Sequence, residues 1–179
     1  MRLHYFLTLV LCFILSSVLQ AGQTDVTKAS FSGDKPKLDK NTKILHQTEK
    51  VLKNCVRNSS GWIDATYKEN EKGDMYLIEN KNVEHIIRPG PTAAYGLAVA
   101  IKTGLFDSPV AGIDKDKLIA QVRKMVKGAA AIHKTNGGAW GDHWQSSMWA
   151  GLLGDAGWLI WDDLDEETQE MLLRVVVYE

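Results

Sequence analysis

Met148-Trp149-Ala150-Gly151-Leu152-Leu153-Gly154-Asp155-Ala156-Gly157-Trp158-Leu159-Ile160 is the stretch whose reading decides the fold. On a helix running from about His143 to Trp161, the residues Met148, Trp149, Leu152, Leu153, Ala156, Trp158, Leu159 and Ile160 cover all sides. A helix that is apolar all round is expected to be buried on all sides. Gly151, Gly154 and Gly157 repeat every third residue and would let neighbouring helices approach closely. Membrane insertion is the rival reading, and Gln145 and Asp155 argue against it.

A second helix of the same kind is expected from Pro91, which suits a first turn, to Thr103, with Gly104 as the stop. Ala93, Ala94, Tyr95, Leu97, Ala98, Val99, Ala100 and Ile101 leave it no polar face. Between these two lies an amphipathic helix, capped by Asp114 and running to about Lys134. Leu118, Ile119, Val122, Met125, Val126, Ala129 and Ile132 form its apolar stripe, and Lys115, Lys117, Gln121, Arg123, Lys124 and Lys127 its wet one. Another amphipathic helix starts near Asp163 or Asp165, with Met171, Leu172, Val175 and Val176 facing in. The order apolar, amphipathic, apolar, amphipathic predicts an all-α fold, specifically part of an α/α toroid in which inner helices line a ring and outer helices wrap it. A plain helical bundle is the alternative. The last helix runs to Glu179 without a glycine, proline or basic cap, and a ring needs more hairpins than these, so a chain truncated at its C-terminus is expected.

Upstream, Leu38 to Arg57 reads as a first helix, with Ile44, Leu45, Thr48, Val51, Leu52, Cys55 and Val56 at three- and four-residue spacing. Asn58 to Gly90 is not helical by pattern: it holds Ser59-Ser60-Gly61, Lys72-Gly73-Asp74 and Pro89-Gly90-Pro91, with Met75-Tyr76-Leu77-Ile78 as a short extended piece. So long a connection is more often functional than a short one. Residues 22–37 read as a polar linker, and residues 38–179 as the helical domain. Residues 1–21 read as a secretory signal: Arg2 and His4, an apolar run from Phe6 to Leu15, then the small residues Ser16, Ser17 and Ala21. That run is shorter than the roughly 20 residues of a membrane span. The mature chain is therefore expected to be secreted or periplasmic, without stable membrane insertion.

Of the 2 cysteines, Cys12 leaves with the signal, so Cys55 has no intramolecular partner. It reads as a small buried hydrophobe on the first helix rather than a reactive thiol. With 21 basic and 22 acidic residues the chain has no cationic excess to attract nucleic acid. No zinc-ligand spacing, phosphate loop or Gly-x-Ser-x-Gly elbow occurs, so no metal or cofactor is implied.

In the toroid reading, consecutive inner helices are parallel. The segments entering them, Asn58 to Gly90 and Lys134 to Asp142, then meet on one rim. Helix N-termini there favour anions. Arg88 could hold a carboxylate by two prongs, with His85 three residues before it. The other segment, Gly137-Gly138-Ala139-Trp140-Gly141-Asp142-His143-Trp144-Gln145, sets aromatic and polar groups around glycines. Trp140 and Trp144 offer flat faces to the apolar sides of sugar rings, whereas Trp149, Trp158 and Trp161 read as core. Asp142 is either an N-cap or a catalytic carboxylate. His143 suits acid–base work near neutrality, or is a plain first-turn residue. Tyr95 is either core or a proton donor. His133 reads as a cap-region residue. Asn58-Ser59-Ser60 matches a glycosylation sequon.

Gly141-Asp142-His143-Trp144-Gln145 followed by Trp149-Ala150-Gly151-Leu152-Leu153 resembles the opening of an inner helix in the toroid domain of heparinase-like and alginate-type polysaccharide lyases. The resemblance covers roughly residues 83–179. Asp142 stands where that motif usually has asparagine, a departure that bears on the charge-neutralising role. Unsaturated glucuronyl hydrolases, which share the ring fold and use aspartates, are the alternative relatives. The resemblance implies an acidic polysaccharide or oligosaccharide as partner. In a lyase, Arg88 or a helix N-terminus holds the uronate, His143 or Tyr95 moves the proton, and Trp140, Trp144, His85 and Gln145 position the chain. In a hydrolase, Asp142 would be one of two carboxylates. A non-catalytic domain that binds glycan or a protein partner is the third reading.

Overall fold

The computed structural model describes residues 42–104 and 108–179, all within one compact unit, Pro36–Glu179. The expected signal, the linker and the first residues of the expected first helix lie outside the described residues. The fold is all-α apart from one small hairpin. Its elements are α1 (Thr42–Thr66), β1 (Lys68–Glu69), β2 (Tyr76–Leu77), α2 (Glu84–Ile87), α3 (Pro89–Lys102), α4 (Ser108–Ala111), α5 (Lys115–Ala131), α6 (Ser146–Leu159) and α7 (Glu166–Tyr178). Single 3-10 turns occupy Lys134–Asn136 and Trp161–Asp163. Among the described residues no helix is long and apolar enough to cross a membrane.

The two apolar helices are each other's main partners: α3 packs along α6 more extensively than any other pair of elements. Their buried faces are rich in small residues, Gly90, Ala94, Ala98 and Ala100 on α3 and Ser146, Ala150, Ala156 and Gly157 on α6, with Leu97, Trp149 and Leu153 interleaved. The amphipathic α5 covers α3, α7 covers α6, and α5 and α7 pack on each other. Asp114 and Asp165 cap α5 and α7, accepting hydrogen bonds from the Lys117 and Thr168 amides at 2.7 and 2.8 Å.

Burial on all sides does not hold for α6. Trp144, Met148, Gly151, Asp155 and Trp158 recur at helical spacing along an open face, and Trp158 is 60% exposed rather than core. Trp161 is half-buried, and Trp149 is buried as expected. The glycines divide accordingly. A Cβ at Gly154 or Gly157 would press on Val176 or Leu172 of α7, whereas one at Gly151 would meet nothing. Leu173, Val176 and Val177 continue this apolar surface on α7.

The expected non-helical stretch is also shorter than its sequence suggested, because α1 runs on through Thr66. Val56, Ser60 and Ile63 form its buried face there. The serine in that row breaks the apolar period and hides the helix. Its hydroxyl donates to Gln121 Oε1 at 2.6 Å, and Gln121 donates to Asp64 at 2.6 Å. Ser60 and Gln121 thus satisfy each other inside the interface between α1 and α5, where an unpaired polar group would be costly. Cys55 lies on α1 but is exposed, contrary to its reading as a buried hydrophobe. Asn58 is exposed on the same helix.

The hairpin over 68–77 lies across α5, where Gly128 admits it: a Cβ there would overlap the Tyr76 carbonyl. Next to it the buried Lys127 reaches Asp74 (2.9 Å), Asp165 (3.3 Å) and Glu167 (2.9 Å), tying hairpin and α7 to α5. Burial alone would lower the pKa of Lys127, but the hydrogen bonds to Glu167 and Asp74 and the charge of Asp165 hold it well above the usual lysine value. The Lys127 and Asn70 hydrogen bonds hold Asp74 below the usual carboxylate value. Burial pushes Asp165 up, but hydrogen bonds from Thr168 and the charge of Lys127 outweigh it and leave it lowered.

Replacing Gly128 by Ala is expected to destabilise the protein by about 1–3 kcal/mol in urea unfolding, because the clash is with backbone. Gly151→Ala should be neutral or stabilising by up to about 1 kcal/mol. Lys127→Met should also lower stability, by about 1–3 kcal/mol near neutral pH, a value discounted because the carboxylates it leaves behind can rehydrate. The lowered carboxylates contribute fully above the ordinary carboxylate pKa, about 4. That contribution is lost as pH falls through their folded values. The gap between wild type and Lys127→Met in thermal melts should therefore narrow on acidification.

Candidate functional site

The segments that enter α3 and α6 do meet. The Ala139 amide donates to Asn80 Oδ1 at 2.7 Å. Gln145, with its amide nitrogen turned toward α2, donates to Glu84 Oε2 at 2.9 Å and also meets Oε1. Glu84 in turn pairs with Arg88 at 3.4 Å. A chain Gln145–Glu84–Arg88 therefore links the aromatic loop to the cation at the head of α3. The Arg88 side chain remains 55% exposed, and so open a pair is weak and exchangeable with a ligand carboxylate. His85 is exposed on α2 beside it.

The head of α3 is not the open anion site expected of a helix N-terminus. Arg88 itself has helical backbone angles, its amide bonds to Glu84 O at 2.9 Å, and Pro89 and Pro91 bring no N–H at all. α2 and α3 form one nearly continuous helical run, so an anion there would be held by the Arg88 side chain.

Trp140 does not offer a face to a sugar: it is 1% exposed. Its indole N–H donates to Ala129 O at 2.8 Å, and its ring packs edge-on against His133 at 4.5 Å. The neighbouring glycines serve this burial instead of exposure. A Cβ at Gly138 would overlap the Ile132 backbone, and one at Gly141 (φ 122°) would crowd His133 and Lys134. Trp144 is the exposed aromatic of this loop, at 79%.

Asp142 is not the N-cap of α6, a position held by Gln145. It has a left-handed backbone (φ 59°), pairs with Lys134, and accepts the Tyr178 hydroxyl at 2.6 Å. Lys134 first, then Tyr178, hold its carboxyl below the usual range, so it stays ionised and is unsuited to act as an acid. The buried His133 secures the same corner. Its Nδ1 accepts the Thr135 amide at 3.2 Å, which leaves Nε2 to donate to Glu179 Oε1 at 3.1 Å. Glu179 also accepts the Asp142 amide at 3.3 Å.

His143 is half-buried just before α6. Its amide donates to Ser146 Oγ at 2.9 Å, and its buried Nδ1 has no hydrogen-bond partner among the described residues. Its ring lies 6.3 Å from that of Trp144. Tyr95 is half-buried on α3 against the core, two turns past Arg88. The structure thus gathers Arg88, Gln145, Trp144 and His143 around the junction of two loops, while Trp140 is withdrawn into the core. Among the described residues no cluster of ligating side chains suits a metal ion.

Trp62 escaped the sequence reading because it was assigned to a loop. On α1 it lines an open groove of about 500 Å³ together with Ser59, Arg88 and Thr92. A smaller cleft of about 160 Å³ borders Lys127, whose charge is already met by three carboxylates. Comparison with family models, with curated proteins and with solved structures finds no match for the chain.

Trp140→Phe should leave the Ala129 carbonyl unpaired in the core and cost about 1–3 kcal/mol in chemical unfolding. Trp144→Ala should leave stability unchanged within about 0.5 kcal/mol.

Proposed function

We propose that this chain is an exported helical domain, built as two hairpins of an α/α toroid, that binds an acidic polysaccharide along the rim formed by the entrances to α3 and α6. The observation that carries this reading is the Gln145–Glu84–Arg88 chain, which sets an exposed guanidinium beside the loop bearing the exposed Trp144. A uronate carboxylate is the planar anion a guanidinium grips in two-pronged fashion. Trp144 supplies an apolar plane for the face of a sugar ring.

Lyase-type elimination is the second reading, favoured by His143 standing in the same loop. In that reaction a base takes the proton beside the uronate carboxylate, the bond to the leaving oxygen breaks as the ring double bond forms, and the leaving oxygen takes a proton from the protonated base or from water. Arg88 would offset the charge that builds on the carboxylate, and His143 would accept the proton. A hydrolase is less well supported. Asp142 is engaged by Lys134 and Tyr178, and its neighbour Glu179 by His133.

Calorimetric titration with alginate, polygalacturonate and heparan-type chains tests the binding reading. Arg88→Gln should weaken binding by roughly tenfold to a hundredfold, the scale of a charge-assisted contact. Equal affinity of wild type and variant, or no binding of any acidic chain, would refute it. The ultraviolet absorbance of an unsaturated uronate product separates the two readings. Its growth with wild type and its loss in His143→Gln, with binding retained, would establish elimination.

A further inference from the structure

We infer that the groove between α1 and α3 is a second sugar subsite, taking the uncharged ring next to the uronate held by Arg88. This rests on the reading of the rim given above and extends it to the shape and charge pattern of the ligand. The groove is open and shallow, about 500 Å³, which suits one ring of an extended chain rather than an enclosed small molecule. Among the described residues Arg88 is the one charged side chain of its lining, so a carboxylate that displaces the exposed Glu84 pair is favoured at that end and a neutral group elsewhere.

Trp62 forms one wall. It is partly exposed, and an edge-on contact with Tyr67 at 5.5 Å and 88° holds its ring. An aromatic plane fixed in this way offers stacking area at little entropic cost. The polar groups around it are hydroxyls. Thr92 gives its proton to the Arg88 carbonyl at 2.8 Å, which leaves its oxygen free to accept from a sugar hydroxyl, and Ser59 lies on the α1 side. Gly96 also lines the groove, and an added Cβ there would meet no atom within 4 Å. That glycine sits inside α3 at a cost in helix propensity of about 1 kcal/mol relative to Ala.

Arg88 belongs to both the rim and this groove. Trp62 shares the groove with Arg88, and the loop bearing Trp144 is linked to Arg88 through Gln145 and Glu84. The ligand class is thus an oligosaccharide in which a uronate is followed by a ring with an apolar face and no negative charge.

Gly96→Leu tests this with little risk to the fold, since leucine is a better helix former and points into empty space. The probes are size-defined uronate-containing oligosaccharides, alternating with neutral sugars or all-uronate, from disaccharide to hexasaccharide, titrated into the full chain. In wild type, affinity should rise with length and be greater for the alternating series. In Gly96→Leu and Trp62→Ala that gain should fall by about fivefold to tenfold, with disaccharide affinity unchanged. If Trp62→Ala does not fold, as judged by circular dichroism, Gly96→Leu alone decides. Wild-type behaviour of Gly96→Leu at every length, with Arg88→Gln weakened, overturns the subsite and leaves the rim intact. Wild-type affinity in Arg88→Gln as well overturns both.

Discussion

The close packing of α3 on α6 is the constraint on which the rest of the molecule depends. The buried faces of both helices are rich in small residues, and the two pack together more extensively than any other pair of elements. The segments that precede them come together at one end of this pair. Asn80 then reaches the Ala139 amide and Gln145 reaches Glu84. α5 and α7 pack against this pair and against each other. Lys127 gathers carboxylates from the hairpin and from α7, and Gly154 and Gly157 let α7 settle against α6.

Around the junction the loop over 133–145 divides its aromatic and charged residues between structure and surface. Trp140 and His133 turn inward, each with its polar atoms met by backbone or by Glu179. Asp142 is held by Lys134 and Tyr178, which fixes the turn and keeps the carboxylate ionised. Trp144 is left exposed and His143 half-buried next to it, one step from the Gln145–Glu84–Arg88 chain. A loop anchored this firmly presents its remaining side chains at little entropic cost.

The all-α fold was legible because periodic apolar residues and caps such as Asp114 and Asp165 act locally. What escaped the sequence depended on partners far along the chain. Ser60 looked like turn chemistry, yet it is core because Gln121 of α5 completes it. Trp140 looked exposed beside its glycines, yet those glycines make room for it to turn in against His133. The apolar surface of α6 looked like burial on all sides, but Trp158 and Met148 stand in the open. Composition records how apolar a face is, and only the tertiary arrangement decides what covers it. Trp62 was missed for the first of these reasons, since its place in the groove follows from the extension of α1 through the serine pair.

The shared rim is tested most directly by disulfide trapping of Asn80→Cys with Ala139→Cys, in a chain whose Cys12 and Cys55 are replaced by serine. Both positions are exposed, and the pair is joined here by a 2.7 Å hydrogen bond. Mild oxidation should give an intramolecular cross-link in nearly all molecules, with unchanged helical circular dichroism. Free thiols or cross-links only between molecules would mean that the entrances to α3 and α6 lie apart, and the proposed site would have no structural basis.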